Sequence, residues 1–229
     1  MEGYNKAIKY IPDIIISDVM MPEMDGIEMT RALRKEISTS HIPIILLTAK
    51  TTIESQLEGM EKGADDYLTK PFSASYLKAR VDNLLTQREK LRELYTANLM
   101  NLTTTKNVEI DSPESEMSSN DRQFMDKLMA LMMANMDNGS LVVDDLVKEL
   151  AVSRSVFFKK LKFLTGLAPV EFIKEMRIKR AAQLIENGEY NMTQISYMVG
   201  INDPRYFSKC FKRKFGKTPT EYKEDLKRK

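Results

Sequence analysis

Three residues in the first third of the chain could gather around an anionic group: the Asp18 carboxylate, the Thr48 hydroxyl and the Lys70 amine. A carboxylate attacks a group bearing several anionic oxygens only when a cation, a hydroxyl and a metal ion take up the charge around it. Farther along, two helical patterns carry a different chemistry, fixed positive charge interleaved with aromatics. The first holds Arg154, Ser155, Phe158, Lys159 and Lys162; the second holds Pro204, Arg205, Tyr206, Ser208, Lys209 and Lys212. Such faces suit the phosphates and base edges of a nucleic acid. A lone basic helix could equally be a solvated surface, and a lone aspartate could equally cap a helix or loop. The elements that position these residues decide between the readings.

The acid, the hydroxyl and the amine each stand at the end of an expected strand. Ile11–Asp18 is rich in Ile, as expected of a strand buried on both faces of a parallel sheet. Val19–Gly26 is a loop and Met29–Ile37 an amphipathic helix. Ile42–Thr48 is a second buried strand, Thr52–Gly63 a helix stopped by Gly, and Asp66–Pro71 a third strand with its turn. Ser73 caps a long helix reaching about Asn98. Strands alternating with helices make an α/β doubly wound sheet, whose chemistry gathers at the carboxyl ends of the strands. Asp18, Thr48 and Lys70 all lie there.

The basic patterns belong to a layout that occurs twice, from Val143 to Gly166 and from Met192 to Gly216. In each, a short helix meets a turn, and a polar residue then opens a basic, aromatic-bearing helix. Each ends at Gly, with Pro169 or Pro219 three residues on. This is a tandem helix-turn-helix, an all-α arrangement whose second helices enter the major groove and read bases from their first turns. Ser153 and Asp203 are the expected caps, and Pro204 takes the favoured first helical position. Phe157, Leu161 and Leu164 face inward in the first unit, as do Phe207, Phe211 and Phe215 in the second. Ser155, Phe158 and Lys159 share the first groove face, with Arg154 and Lys162 turned toward phosphates. Arg205, Tyr206, Ser208, Lys209 and Lys212 face out from the second. A helix over 169–187 separates the units, so they reach groove faces about 34 Å apart.

Composition sets limits on the rest. The 229 residues suffice for two domains. No apolar run approaches the roughly 18 residues of a membrane helix. The single Cys210 excludes an internal disulfide and suits the cytoplasm, and the single His41 leaves no His pair for metal or triad chemistry. Residues 1–119 hold 14 Lys/Arg against 19 Asp/Glu, a net −5; residues 120–229 hold 21 against 14, a net +7. An acidic half joined to a basic half fits a signalling domain joined to a nucleic-acid-binding one.

Ser17–Gly26, Thr48-Ala49 and Lys70-Pro71-Phe72 together resemble the receiver domain of response regulators. The resemblance implies a flavodoxin-like fold in which Asp18 accepts a phosphoryl group, Thr48 hydrogen-bonds it and Lys70 pairs with it. It also implies that Tyr67 is the aromatic that swings inward on activation, and that Mg²⁺ is the cofactor, held by Asp18 and the Met20 backbone carbonyl. In that family a first strand and an acidic pair holding most of the Mg²⁺ precede the acceptor strand. Met1 falls inside what resembles the second helix. The receiver is therefore expected to be incomplete, its metal not bound, Asp18 a vestigial acceptor and its strand a bare edge. The sequence is expected to be part of a longer protein.

Ser153–Pro169, Arg177–Ile185, Val199–Gly216 and Thr218–Tyr222 resemble an AraC-type DNA-binding domain, over about residues 122–227. A receiver followed by such a domain resembles the tail of hybrid two-component regulators, which often control carbohydrate-use operons. The resemblance implies double-stranded DNA and RNA polymerase as partners of an activator, and a cognate histidine kinase upstream in the same polypeptide.

The expected division is an incomplete receiver over 1–99, a polar, acidic linker over 100–120 and the DNA-binding domain over 121–229. The stripe of Leu77, Val81, Leu84, Leu85, Leu91 and Leu94 has two readings, packing on its own sheet or a coiled contact with a second copy. Asp121–Met136 is a Met-rich helix whose Phe124, Leu128, Leu131 and Met132 fill a core. Two other functions stay open: a non-enzymatic regulator gives way to a phosphotransfer module if Asp18 is chemically active, or to an interaction module if the chain forms a homodimer.

Overall fold

The computed structural model describes residues 1–49, 63–98 and 118–227. The helix expected over Thr52–Gly63 and most of the expected linker lie outside the described residues. The chain divides into two units. The first comprises residues 1–125 with 155–166, the second residues 126–154 with 167–229.

The first unit begins with helix α1, Glu2–Tyr10, followed by strand β1, Ile15–Asp18. The apolar run from Ile11 is shorter as a strand than as a sequence pattern. Ile11 terminates α1 in a left-handed conformation, φ 46°, with its N–H bonded to the Ala7 carbonyl. Helix α2 spans Gly26–Lys35 rather than Met29–Ile37. Asp25 caps it from within the expected loop: its side chain accepts the Glu28 N–H at 2.7 Å, and Glu28 accepts the Asp25 N–H in return. Strands β2, Ile44–Thr48, and β3, Asp66–Thr69, complete a parallel sheet of order β1-β2-β3. Asp18 pairs with Leu47 and Thr48 with Thr69.

Ile44, Ile45 and Leu46 are buried, as two covered faces require, but Ile16 is 42% exposed. β1 has only β2 beside it among the described residues, so it is an edge strand. On one face Met29 and Leu33 of α2 and Ala7 of α1 pack on Ile44 and Leu46. On the other, Leu84, with Leu77 and Val81, packs on Ile45 and Leu68. These three belong to α3, Ala74–Asn98, capped by the Ser73 hydroxyl, which accepts the Tyr76 N–H. The near half of the leucine stripe thus covers its own sheet. Leu85 is 38% exposed, and the side chains of Leu91 and Leu94 lie outside those described.

Helix α4, Ser119–Ala134, starts in this unit, and α6, Arg154–Thr165, packs in it from Ser155 onward. Phe157 of α6 meets Phe124 at 6.2 Å between ring centroids, and Phe163 meets the buried His41 ring edge-on at 4.9 Å. Burial, and next the neighbouring Lys160 ammonium, pull the His41 pKa down to about 3. His41 therefore stays neutral in the folded chain, whereas the unfolded chain takes up its proton near pH 6.5. Stability is fully present above that value and falls as pH drops toward 3. Between pH 7.5 and 5 the expected loss is about 2 kcal/mol, read as a lower urea midpoint. The loss should disappear in His41→Gln, because His41 is the single histidine. An unchanged midpoint in the parent chain would show that His41 protonates freely.

The second unit is helical. It holds α5, Val143–Glu149; α7, Pro169–Asn187; α8, Met192–Met198; α9, Pro204–Phe215; and α10, Pro219–Lys227. Asn191 caps α8 in a reciprocal box with Gln194, a cap that opens the second helix-turn-helix. Its core joins Ile178, Ala181 and Ile185 of α7 to Ile195 of α8 and Phe207 and Phe211 of α9. Phe215 and Tyr222 pack against it. Gly216 ends α9 at φ 74°, a conformation that a Cβ makes costly.

Candidate nucleic-acid interface and acceptor aspartate

In the second helix-turn-helix the turn chemistry sets the interface. Asp203 sits before Pro204, and its carboxylate accepts the Arg205 N–H at 2.8 Å and the Tyr206 N–H at 3.3 Å. The capped, proline-led first turn fixes where Arg205 and Tyr206 stand. Burial of Phe207 and Phe211 then rolls the opposite face outward. Arg205, Lys209 and Lys212 are exposed, Tyr206 is 50% exposed, and Pro204 and Ser208 are half-buried. Arg213 and Lys214 extend the positive charge, and Lys214 pairs with Glu175 of α7. This face can offer donors to base edges from its first turn and cations to phosphates from its later ones.

The first recognition helix differs. Arg154 is exposed and paired with Asp144, while Ser155 and Lys162 are exposed. Phe158 is half-buried, its ring 6.4 Å from Phe157. The Lys159 amine donates to the carbonyls of Tyr10 and of Ile11, the latter at 2.8 Å. Lys160, which the sequence reading gave no role, has no exposed surface and pairs with Asp121. Its signal was its position: it lies three residues after Phe157 and four before Leu164, on the inward stripe.

In the first unit the parallel register brings Asp18, Thr48 and Lys70 to the carboxyl ends of adjacent strands. The Lys70 N–H donates to the Thr48 carbonyl at 2.7 Å. The Lys70 amine pairs with Asp18 Oδ2, and Asp18 Oδ1 accepts the Met20 N–H at 3.2 Å. The Lys70 hydrogen bond holds the Asp18 carboxyl below the usual carboxylate range. Thr48 is buried, and Tyr67 is half-buried on the α2 side of the sheet.

For Mg²⁺ the donor set does not fit. Mg²⁺ takes six oxygens in near-ideal octahedral geometry, usually from one or two carboxylates with phosphate and water. Here the single acceptor carboxylate has one oxygen on a cation and the other on a backbone N–H. No group of three or more His, Cys, Asp or Glu among the described residues could hold a metal ion. No helix among the described residues is long and apolar enough to cross a membrane.

Comparison with known proteins places both halves. Residues 2–82 match the response regulator receiver domain family, and residues 146–225 match a helix-turn-helix domain family. Over 216 residues, 94% of its length, the chain is 42% identical to histidine kinase P4 of Formosa agariphila, and it spans 15% of that protein. It is 40% identical to the receiver domain of the Francisella response regulator 1452, covering 37% of this chain and 71% of that one, with a TM-score of 0.33. It is 27% identical to an AraC-type transcriptional regulator of Chromobacterium violaceum, covering 46% and 93%, with a TM-score of 0.43. The chain thus joins a response regulator receiver domain, residues 2–82, to an AraC-type helix-turn-helix domain, residues 146–225.

Proposed function

We propose that the chain is the DNA-reading end of a hybrid two-component regulator that activates carbohydrate-use genes from the cytoplasm. The observation that carries the DNA reading is the exposed row of Arg205, Lys209 and Lys212 above the buried Phe207 and Phe211, started by the Asp203 cap. Arg205 and Lys159 read bases; Arg154, Lys162 and Lys212 neutralise phosphates; Ser155, Phe158, Tyr206, Ser208 and Lys209 line the grooves. Lys159 must exchange the Tyr10 and Ile11 carbonyls for base acceptors when DNA binds. A histidine kinase upstream supplies the signal, RNA polymerase is the recruited partner, and the carbohydrate-use targets follow the class that the chain resembles.

Arg205→Ala is expected to cost about 1–3 kcal/mol on the true site and to flatten preference at one or two base pairs. Lys212→Ala is expected to weaken all sequences alike and to lower the salt slope by about one. Binding isotherms on specific and random duplexes across a salt series separate the two. If both variants leave affinity, preference and slope untouched, α9 is not the reading helix.

The Asp18–Lys70 pair favours a second reading, a phosphotransfer module, and the poor metal fit opposes it. The edge of β1, which no strand covers among the described residues, favours a homodimer. Sedimentation without DNA distinguishes that from a monomer.

A further inference from the structure

The second unit contains a cavity of about 420 Å³ with apolar walls from Leu141, Ile173 and Ile201 and polar groups from Lys174, Arg177, Tyr206 and Asp144, whose carboxylate is already paired with Arg154. Arg177 is 9% exposed. Its Nη1 donates to the Gly200 carbonyl at 3.1 Å and its Nη2 to the Asn138 carbonyl at 2.6 Å. Its Nε–H is buried and meets no acceptor among the described residues. Burial lowers the pKa of this guanidinium, and no carboxylate offsets the shift. An arginine keeps its proton even so, and a buried cation without a counter-charge is costly. The group is also held in place: a Cβ on Gly200, whose φ is 67°, would come within 3.0 Å of Arg177 Cζ. A fixed, buried cation with a spare N–H beside an apolar cavity is the arrangement of a pocket for an acid.

We propose that this cavity binds a small organic carboxylate with an apolar body. The carboxylate pairs with the Arg177 guanidinium with help from Lys174, and the apolar part lies between Leu141, Ile173 and Ile201. Arg154 and Tyr206, at the starts of the two recognition helices, also line the cavity. An acid seated there touches both and alters DNA affinity without any event at Asp18. The binding step is independent of the DNA reading, and the effect on affinity rests on it.

Thermal unfolding of residues 1–229 is followed with benzoate, phenylacetate, hexanoate and cyclohexanecarboxylate, each beside its alcohol, and with inorganic phosphate. At least one acid is expected to raise Tm saturably by several degrees, as a ligand of the native state must, while its alcohol does not. Val170→Trp fills the cavity from a position that is 64% exposed, so the fold tolerates it, and should abolish the shift. Arg177→Lys keeps the charge but loses the planar donor array, and should weaken binding at least tenfold. No acid exceeding its alcohol, or a shift that survives Val170→Trp, would overturn the proposal. So would phosphate alone reproducing the shift, since the cavity would then seat a DNA phosphate.

Discussion

Lys160→Met is expected to destabilise the first unit by about 3–5 kcal/mol, the cost of breaking a buried ion pair by removing one partner. The Lys160 side chain is fully buried and the Asp121 side chain is 5% exposed. The three protons of the ammonium are all taken, by the Asp121 carboxylate, by the Ser40 hydroxyl at 2.7 Å and by the Ile37 carbonyl at 2.9 Å. Burial alone would raise the Asp121 carboxyl, but the Lys160 charge together with hydrogen bonds from Lys160, Ser40 and Ser118 outweighs it and holds the group below its ordinary value. Methionine fills nearly the same volume, so little of the loss comes from a void. What remains is a buried carboxylate held by the Ser40 and Ser118 hydroxyls, with the Lys160 charge gone. Removing both charges in Lys160→Met/Asp121→Leu should recover most of the loss, since neither desolvation cost is then incurred. Urea unfolding of the single and double variants measures this. A single variant costing under about 1 kcal/mol would place the amine in water, and a double variant no better than the single would remove the ion pair as the cause.

This pair marks where the sequence stops being legible. Local signals read well because neighbouring residues carry them. Phe207, Phe211 and Phe215 recur at helical spacing, and Asp203, Pro204 and Gly216 punctuate one helix at both ends, so α9 follows from its own letters. Asp18 and Thr48 each end an isoleucine-rich run and Lys70 follows a short strand, and a parallel sheet puts such ends side by side. Lys160 is different. Its spacing turns it inward, but its tolerance there depends on Asp121, 39 residues away, and on Ser40, 120 away. Arg177 lies in a segment legible as helix, yet its partners are carbonyls of Asn138 and Gly200. Backbone acceptors leave no trace in residue type. Ile16 shows the converse limit. It closes a run of three isoleucines, but its exposure follows from β1 having one strand beside it among the described residues, a fact of topology rather than of composition.

The chain of residues 1–229 is expected to take no phosphate from acetyl phosphate, although Asp18 and Lys70 stand together. In-line transfer to a carboxylate needs the charge on the phosphoryl oxygens neutralised as it moves, a task shared between a cation and metal ions. Lys70 supplies the cation. The described residues supply one carboxylate for a metal, and its oxygens are already held by Lys70 and the Met20 N–H. A single such ligand should bind Mg²⁺ too weakly to populate the site at millimolar metal. DNA affinity should therefore ignore the phosphodonor, and Asp18→Asn should match the parent chain. Adding a strand and an acidic pair of the receiver pattern ahead of Met1 would place two further carboxylates near Asp18. That longer chain should become phosphorylated, and its DNA binding should then respond to the donor. Intact-mass measurement with and without Mg²⁺ reads each case. A phosphorylated species in the 1–229 chain that requires Mg²⁺ and is absent from Asp18→Asn would show that one carboxylate is enough, and would restore phosphotransfer as a function of these residues alone.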